Sequence, residues 1–490
     1  LMNNSIIIVD ALLKHALTVP KKPALIFGEQ TIDYHTLAMR IKSTAKFLHD
    51  RGVQQGNYVM FGAKKSPEFA FVYFAAHLLG AVAVPFDLKL AGEKVTYIHH
   101  LINPAVLLLP ESYGDAGLSY LPLELLNDLD AISFTPDVII SSDDMADVLF
   151  TTGTTGNPKG VMLTHRNITA GAVNTNMFIG NDERDCEVIP LPLFHAFGLR
   201  RLRTNMMLGA TAVLVEGFMR PADIFDAFDK HKATGICMVP AGFSVLNKLT
   251  KGKLSEYSHQ LKYIEFGSAP MPLEDKKLIM ELLPNTKICM HYGLTEAAAN
   301  MFIEFHASRE KLHTLGKPSP NMVIEIMDDE GNRLRPCQTG NIMVSGDVLM
   351  KGYFKNEERT AEVMQAGWLT TGDIGYRDED GYIVLQGRKD DIINIGGKKV
   401  SPVEIETAIN RHNDIRESAC IAINDPKGIR GKVIKAFIVP EPGHEAPSED
   451  AMVQYLRKHL ESYKIPVVFA YHKVIPKTQS GKILRDTLRS

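Results

Sequence analysis

Apolar positions along this chain follow two periods in alternating blocks, one helical and one close to strict alternation or short continuous runs. Residues 36–50 predict an amphipathic helix and residues 58–61 a strand. Short apolar runs at 81–84, 106–109 and 138–140 predict buried strands between helices. The most apolar stretch, 69–86, is broken by His77, Gly80 and Pro85, so it reads as a buried helix running into a buried strand rather than as a membrane span. Such alternation predicts an α/β fold with largely parallel sheets. No short repeat or low-complexity tract interrupts it.

The pattern changes near Arg388. Residues 382–385 read as a strand, followed by the polar run Gly387-Arg388-Lys389-Asp390-Asp391. Ile392, Ile393 and Ile395 then lead to Gly396-Gly397. Ser401-Pro402-Val403-Glu404 predicts a helix start: Ser401 caps, Pro402 suits the first turn, and Glu404 completes a capping box. We expect a large N-terminal domain of layered sheets and helices over 1–387 and a small α+β domain over 388–490. A polar surface loop inside one larger domain is the other reading of the same composition.

Composition narrows the class. At roughly 150 residues per domain, 490 residues predict two to four folding units. Hydrophobic residues at 45% and charged residues at 23% suit a globular chain with several cores. The net charge of -3 gives no reason to expect nucleic acid or an acidic membrane surface as a partner. Cys186, Cys237, Cys289, Cys337 and Cys420 are scattered and form no CxxC pair, which predicts neither disulfides nor zinc and favours a reducing, cytoplasmic setting. The first 20 residues lack the charged, apolar and small-residue regions of a signal peptide.

Candidate chemistry centres on Thr151-Thr152-Gly153-Thr154-Thr155-Gly156-Asn157-Pro158-Lys159-Gly160. Its threonines supply hydroxyl donors, its glycines let backbone N–H groups approach an anion, and Lys159 adds a mobile positive charge. The composition suits a phosphate cradle. It is not a Walker A loop, because Lys159 follows Pro158 and precedes Gly160. Residues 148–150 and 161–163 predict a strand on either side, so a flexible hairpin tip is the bland alternative.

This decapeptide resembles the signature of the adenylate-forming superfamily, which contains acyl-CoA synthetases, peptide-synthetase adenylation domains and beetle luciferases. Further motifs resemble the family's in the same order. In His291-Tyr292-Gly293-Leu294-Thr295-Glu296 the resemblance implies that Tyr292 stacks on adenine, Thr295 bonds the α-phosphate and Glu296 holds Mg²⁺. A flat aromatic suits a purine and a carboxylate suits a hard cation; read alone, the same residues suit a capped helix start. Phe266-Gly267-Ser268-Ala269-Pro270 resembles the loop beside adenine and the acyl group, and read alone it is a turn. Gly367-Trp368-Leu369-Thr370-Thr371-Gly372-Asp373 resembles the ribose motif, with Asp373 accepting from both hydroxyls; Asp373 in a simple turn is its alternative. The resemblance also puts Ile383 and Arg388 at the nucleotide, makes Asp390 the hinge, and gives Gly396 and Gly397 to coenzyme A. Asn394 stands where some relatives carry a lysine, so a role for that lysine is not carried over. Pro476-Lys477-Thr478-Gln479-Ser480-Gly481-Lys482 resembles the C-terminal motif, whose catalytic lysine falls on Lys482. Leu193-Phe194-His195-Ala196-Phe197-Gly198 resembles the acyl-pocket motif and puts His195 between pocket and thiol tunnel, where a packed core histidine is the alternative.

The implied reaction is ATP- and Mg²⁺-dependent activation of a carboxylic acid to acyl-AMP, then transfer to coenzyme A, with the small domain moving about the hinge between the two steps. The expected acyl pocket is lined by Phe194, Phe197, Val239, Ala241, Gly242 and Ala297. It lacks the acid with which amino-acid-activating relatives hold an ammonium, so the acid expected is a fatty, aryl or other simple one without an α-amino group. Arg200, Arg201 and Arg203 read either as a basic solvated helix face or as a partner for a second carboxylate or the phosphates of coenzyme A. Rival readings are an enzyme loading a carrier protein's phosphopantetheine, a nucleotide-binding module without catalysis, and a luciferase-like oxidase.

Overall fold

The computed structural model describes residues 6–114, 117–151, 157–395, 398–426, 431–477 and 483–489. The chain divides into two compact units: Leu1–Val323 with Val344–Leu369, and Ile324–Met343 with Thr370–Ser490.

In the first unit the alternation resolves into two sheets. The larger has nine strands in the order Lys317–Pro318, Met301–Glu304, Lys287–Tyr292, Tyr263–Phe266, Gly235–Met238, Cys186–Ile189, Thr211–Leu214, Pro23–Phe27 and Gln30–Asp33. From Lys287–Tyr292 through Pro23–Phe27 neighbouring strands are parallel; antiparallel strands close both edges. Strands covered on both faces need continuous apolar runs. Val188, Ile236, Ile264 and Ile288, one from each of four neighbouring strands, pack with Ile224, Phe228, Leu246 and Ile279 of the crossing helices. The second sheet has seven strands in the order Gly352–Tyr353, Lys159–Thr164, Met145–Thr151, Val82–Phe86, Tyr58–Gly62, Val106–Leu109 and Leu121–Pro122.

Most of the predicted elements form. The helix Tyr34–His49 begins where Asp33 accepts the Thr36 N–H at 2.7 Å. The apolar stretch is the helix Pro67–Leu78, buried on every side, followed by the strand Val82–Phe86. Among the described residues no helix is long and apolar enough to cross a membrane. Residues 138–140 correct the expectation: they form no strand, and Ile139 is 91% exposed. The backbone there lies between Pro136 and the turn closed by Asp144 N–H on Ser141 C=O, and the Ile139 C=O accepts from the Gln55 side chain at 2.9 Å rather than from a strand.

The second unit holds a sheet of Ile415–Asn424, Lys432–Pro440 and Val468–Tyr471. Ile405, Ile409, Ile434, Ile438, Met452 and Leu456 form its core with the helices Pro402–Ile409 and Glu449–Leu456. Ser401 caps the first of these by accepting the Glu404 N–H at 3.3 Å, and Pro402 occupies the first turn. The expected capping box is only half built. The Glu404 carboxylate takes the Lys464 ammonium at 2.7 Å instead, an ion-pair partner that outcompetes a reach back to the cap.

Candidate active site

Neighbouring parallel strands share one direction, so their carboxyl ends lie along one edge of the sheet, where open α/β sheets bind ligands. Four segments that carry predicted site residues leave the sheet there. Ile189 leads into Pro190 through His195, Met238 into Val239, Phe266 into Gly267, and Tyr292 into Gly293. The register sets Met238 beside Phe266 and Phe266 beside Met290, so these loops emerge side by side.

Each loop has a local cause. Val239 precedes Pro240, which opens the helix Pro240–Thr250. His195 sits at the start of the helix Ala196–Leu208, its ring 4.3 Å from that of Phe194. The imidazole is solvent-accessible yet lies in a recess; crowding by protein atoms keeps its pKa below the ordinary histidine value, against the pull of Asp87. Lys65 pins two of the loops, donating to the carbonyls of Pro190 at 2.6 Å and Val215 at 2.7 Å, and burial lowers its pKa to about 8.

Gly267 is required by its neighbour. A Cβ there would come within 2.0 Å of His291 Cε1, so the imidazole packs directly on the loop backbone. Ser268 follows with φ 73°, a left-handed conformation that a non-glycine residue adopts at a cost. Ser268 and Pro270 are exposed and Ala269 half-buried, so the loop presents its surface outward. His291 is itself held by Glu265, whose Oε1 lies 2.8 Å from its Nδ1, and by Phe197, edge-on at 4.5 Å. Burial, and then the Arg200 charge, lowers the His291 pKa. Tyr292, Gly293, Thr295 and Glu296 are half-buried at the same edge.

The phosphate-loop flanks pair as predicted. Met145–Thr151 and Lys159–Thr164 form an antiparallel hairpin with Thr151 opposite Lys159. Residues 350–354 link this hairpin to the Glu296 loop. Met350 N–H donates to Glu296 C=O at 2.8 Å, and Phe354 N–H donates to Gly160 C=O at 2.8 Å. Tyr353, which sequence reasoning missed, donates its hydroxyl to Glu296 Oε1 at 2.8 Å, and its ring centroid lies 6.0 Å from Lys159 Nζ. Among the described residues no three His, Cys, Asp or Glu side chains gather as metal ligands. A single carboxylate with an oxygen to spare, beside a lysine for phosphate, fits Mg²⁺, which keeps waters and nucleotide oxygens as its other ligands.

The three arginines correct both readings of the sequence. Arg200, Arg201 and Arg203 are buried, at 2%, 0% and 3% exposure, and make no solvated face. Arg200 meets Glu265 at 2.7 Å, Arg201 meets Glu187 at 2.5 Å, and Arg203 meets Asp147 and the Tyr73 hydroxyl. Each is ion-paired with an internal acid and closed off from solvent, so none is offered to a substrate carboxylate or to coenzyme A. Burial alone would raise the Glu265 pKa; Arg200, Arg201 and His291 overcome it and hold the carboxyl well below its usual range.

The residues expected to line the acyl site differ in exposure. Phe194 and Val239 are half-buried and Ala241 is exposed, but Ala297 has no exposed surface. The open side of Gly242 is filled: a Cβ there would lie 2.5 Å from the ring of Phe218. Phe218 thus packs directly on Gly242. No motif marks it, because it follows the end of a different strand, Thr211–Leu214.

In the second unit Asp373 and Arg388 are cross-strand partners, 3.3 Å apart, and Arg388 Nη1 also donates to Thr371 C=O at 3.2 Å. Ile383 has no exposed side-chain surface, so a contact with nucleotide would fall to its backbone. Asp390 is exposed in the short turn Lys389–Asp391. Thr152, Gly153, Thr154, Thr155 and Gly156 lie outside the described residues, as do Gly396, Gly397 and Lys482.

Comparison with known proteins agrees with this geometry. Residues 12–354 match the profile of AMP-binding enzymes, and residues 404–482 match that of the AMP-binding enzyme C-terminal domain. A 2-succinylbenzoate–CoA ligase of Bacillus velezensis is 30% identical over 97% of this chain and 96% of its own. A feruloyl-CoA synthase of an Amycolatopsis species is 29% identical over 97% of each chain. Among solved structures, the o-succinylbenzoate CoA synthetase of Bacillus subtilis, in complex with its acyl-adenylate intermediate, superposes with a TM-score of 0.88 at 29% identity over 98% of each chain.

Proposed function

This chain belongs to the AMP-binding enzyme family, and from that premise we propose which side chains carry each half of its reaction. The protein is an AMP-forming acid–thiol ligase: it uses ATP to convert a carboxylic acid to acyl-AMP and passes the acyl group to coenzyme A. The observation that carries the assignment of residues is the meeting of Lys159, Tyr353 and Glu296 beside the strand-end loops of Gly267 and Tyr292.

A carboxylate cannot be attacked by a thiol until one of its oxygens becomes a good leaving group. Its oxygen attacks the α-phosphorus of ATP, the bond to the bridging oxygen breaks, and pyrophosphate leaves. Glu296 would hold Mg²⁺, which when bound would supply positive charge to offset that of the phosphates. Lys159 and the threonine loop hold the β- and γ-phosphates, and Thr295 bonds the α-phosphate. Tyr292 stacks on adenine beside the 267–270 loop, and Asp373 accepts from the ribose hydroxyls with Arg388 at its side. Lys482 offsets repulsion between acid and phosphate oxygens; losing one such donor costs about 3–4 kcal/mol.

The thiolate of coenzyme A then attacks the acyl carbon and AMP leaves with its phosphate oxygen. Lys482 has no task in this step. The segment from residue 388 onward turns about Asp390 and brings Gly396-Gly397 to the pantetheine. His195, kept neutral by its recess, stands at the mouth between acyl site and thiol path.

The walls argue for the substrate class. Phe194, Phe218, Val239 and Ala241 are apolar, and the nearest buried acid on the strand ends, Glu265, is already engaged by Arg200 and His291. An α-ammonium would find Glu265 already paired. The acid is therefore aryl, fatty or another simple acid without an α-amino group, in keeping with the aryl acids named for the relatives. The five cysteines are free thiols, which supports a reducing, cytoplasmic setting.

The test is a panel of acids assayed for AMP release and thioester formation with free coenzyme A. An aryl or alkyl acid should give both products. Pyrophosphate release without a free coenzyme A thioester would instead assign the acceptor to a carrier protein.

A further inference from the structure

We propose that Tyr353 is a positioning residue for the metal-binding carboxylate, and that residues 350–354 fix the separation between Glu296 and Lys159. The inference rests on the nucleotide site proposed above and adds to it a residue that no motif supplies.

Tyr353 is 7% exposed and touches both charged groups at once. Its hydroxyl donates to Glu296 Oε1 at 2.8 Å, and Lys159 Nζ sits 6.0 Å from its ring centroid. One Glu296 oxygen is thereby fixed in direction, which aims the other. The ring face attracts an ammonium through its quadrupole. Opposite charges thus contact two parts of one side chain instead of each other, and both remain available to a metal–triphosphate ligand.

The backbone makes this arrangement rigid. Gly352 and Tyr353 pair in register with Met162 and Val161 of the phosphate-loop hairpin. Tyr353 N–H donates to Thr360 Oγ1 at 2.8 Å, Phe354 N–H to Gly160 C=O, and Met350 N–H to Glu296 C=O. The strap is therefore bonded to the lysine-bearing hairpin at one end and to the carboxylate-bearing loop at the other. Gly352 is at φ 146° with Thr360 Cγ2 2.9 Å from where a Cβ would sit, so the chain approaches this neighbour as only glycine allows.

The test is calorimetric titration of the full chain with ATP, in EDTA and across a MgCl₂ series. Tyr353→Phe keeps the ring and loses the hydroxyl. It should bind ATP in EDTA as the wild type does, and need about tenfold more Mg²⁺ to reach the same affinity. In a Glu296→Gln background the same change should have no further effect. A thermal midpoint matching wild type shows that the fold is intact. Should Tyr353→Phe not fold, 4-fluorophenylalanine at this position fills the hydroxyl's place with no proton to donate, and the same rise in Mg²⁺ requirement is expected. An unchanged Mg²⁺ requirement in whichever variant folds, or equal losses with and without metal, would overturn the proposal. A wild-type chain that binds ATP equally well with and without Mg²⁺ would instead sink the metal site itself, and the proposal with it.

Discussion

Arg388 lies directly opposite Asp373 across an antiparallel strand pair, with its Nη1 3.3 Å from Asp373 Oδ1. Gly372, at φ 76°, leaves the room: a Cβ there would sit 2.9 Å from Arg388 Nη2. The pair fixes the direction of the Asp373 side chain, which an acceptor for two ribose hydroxyls requires. Asp373→Asn should weaken ATP binding about tenfold or more and abolish the preference for ATP over 2′,3′-dideoxy-ATP, both read by titration. A preserved preference would remove Asp373 from the ribose.

The contact of His291 with Gly267 gives a second expectation. Gly267→Ala puts a methyl group where the imidazole Cε1 now lies, 2.0 Å away. Either the loop or the ring must move, at a cost of about 1–3 kcal/mol. ATP affinity and thermal midpoint should both fall, and His291→Ala should restore much of the midpoint in the double variant. No rescue would mean that the two residues do not share the space.

The buried arginines should matter for stability rather than for substrate. Arg201 lies between Glu187, at 2.5 Å, and Glu265, at 3.3 Å, all without solvent exposure. Arg201→Met strips the counter-charge from buried carboxylates and should cost about 3–5 kcal/mol in chemical denaturation. The folded fraction should keep its Michaelis constants for acid and coenzyme A. A selective rise in either constant would return the arginine to the substrate.

Glu406 sets a pH dependence of stability in the second unit. Burial pushes its pKa from 4.5 up to about 7, with Arg485 at 2.9 Å pulling the other way. Between these values the folded state holds a proton that the unfolded chain has released. Stability should therefore fall as pH rises from about 4.5 to 7, and this contribution should level off above that, by an amount on the order of 3 kcal/mol. Glu406→Gln should flatten that slope in denaturant midpoints measured across the window.

The strands and helices with continuous or helical-period patterns were legible because burial of a whole face is written locally: residues 69–86 and 106–109 are examples. Residues 138–140 were not, because a three-residue apolar run carries no information about whether an edge awaits it. The phosphate-loop hairpin was legible from its flanks. The arginines were misread because their partners, Glu187, Glu265 and Asp147, lie elsewhere in the chain, and pairing across sheets leaves no local trace. Tyr353 escaped for the same reason: it meets Lys159 only through the pairing of Gly352–Tyr353 with Lys159–Thr164. Phe218 was hidden because the space it fills is defined by a missing side chain at Gly242.

The central claim is that one lysine serves only the first of two chemical steps. Lys482→Ala should be assayed twice on the same preparation: for acid-dependent pyrophosphate release from ATP, and for thioester formation from a supplied acyl-adenylate and coenzyme A. The first should fall by a factor of roughly 10²–10³ with the second preserved. An equal fall in both would contradict it.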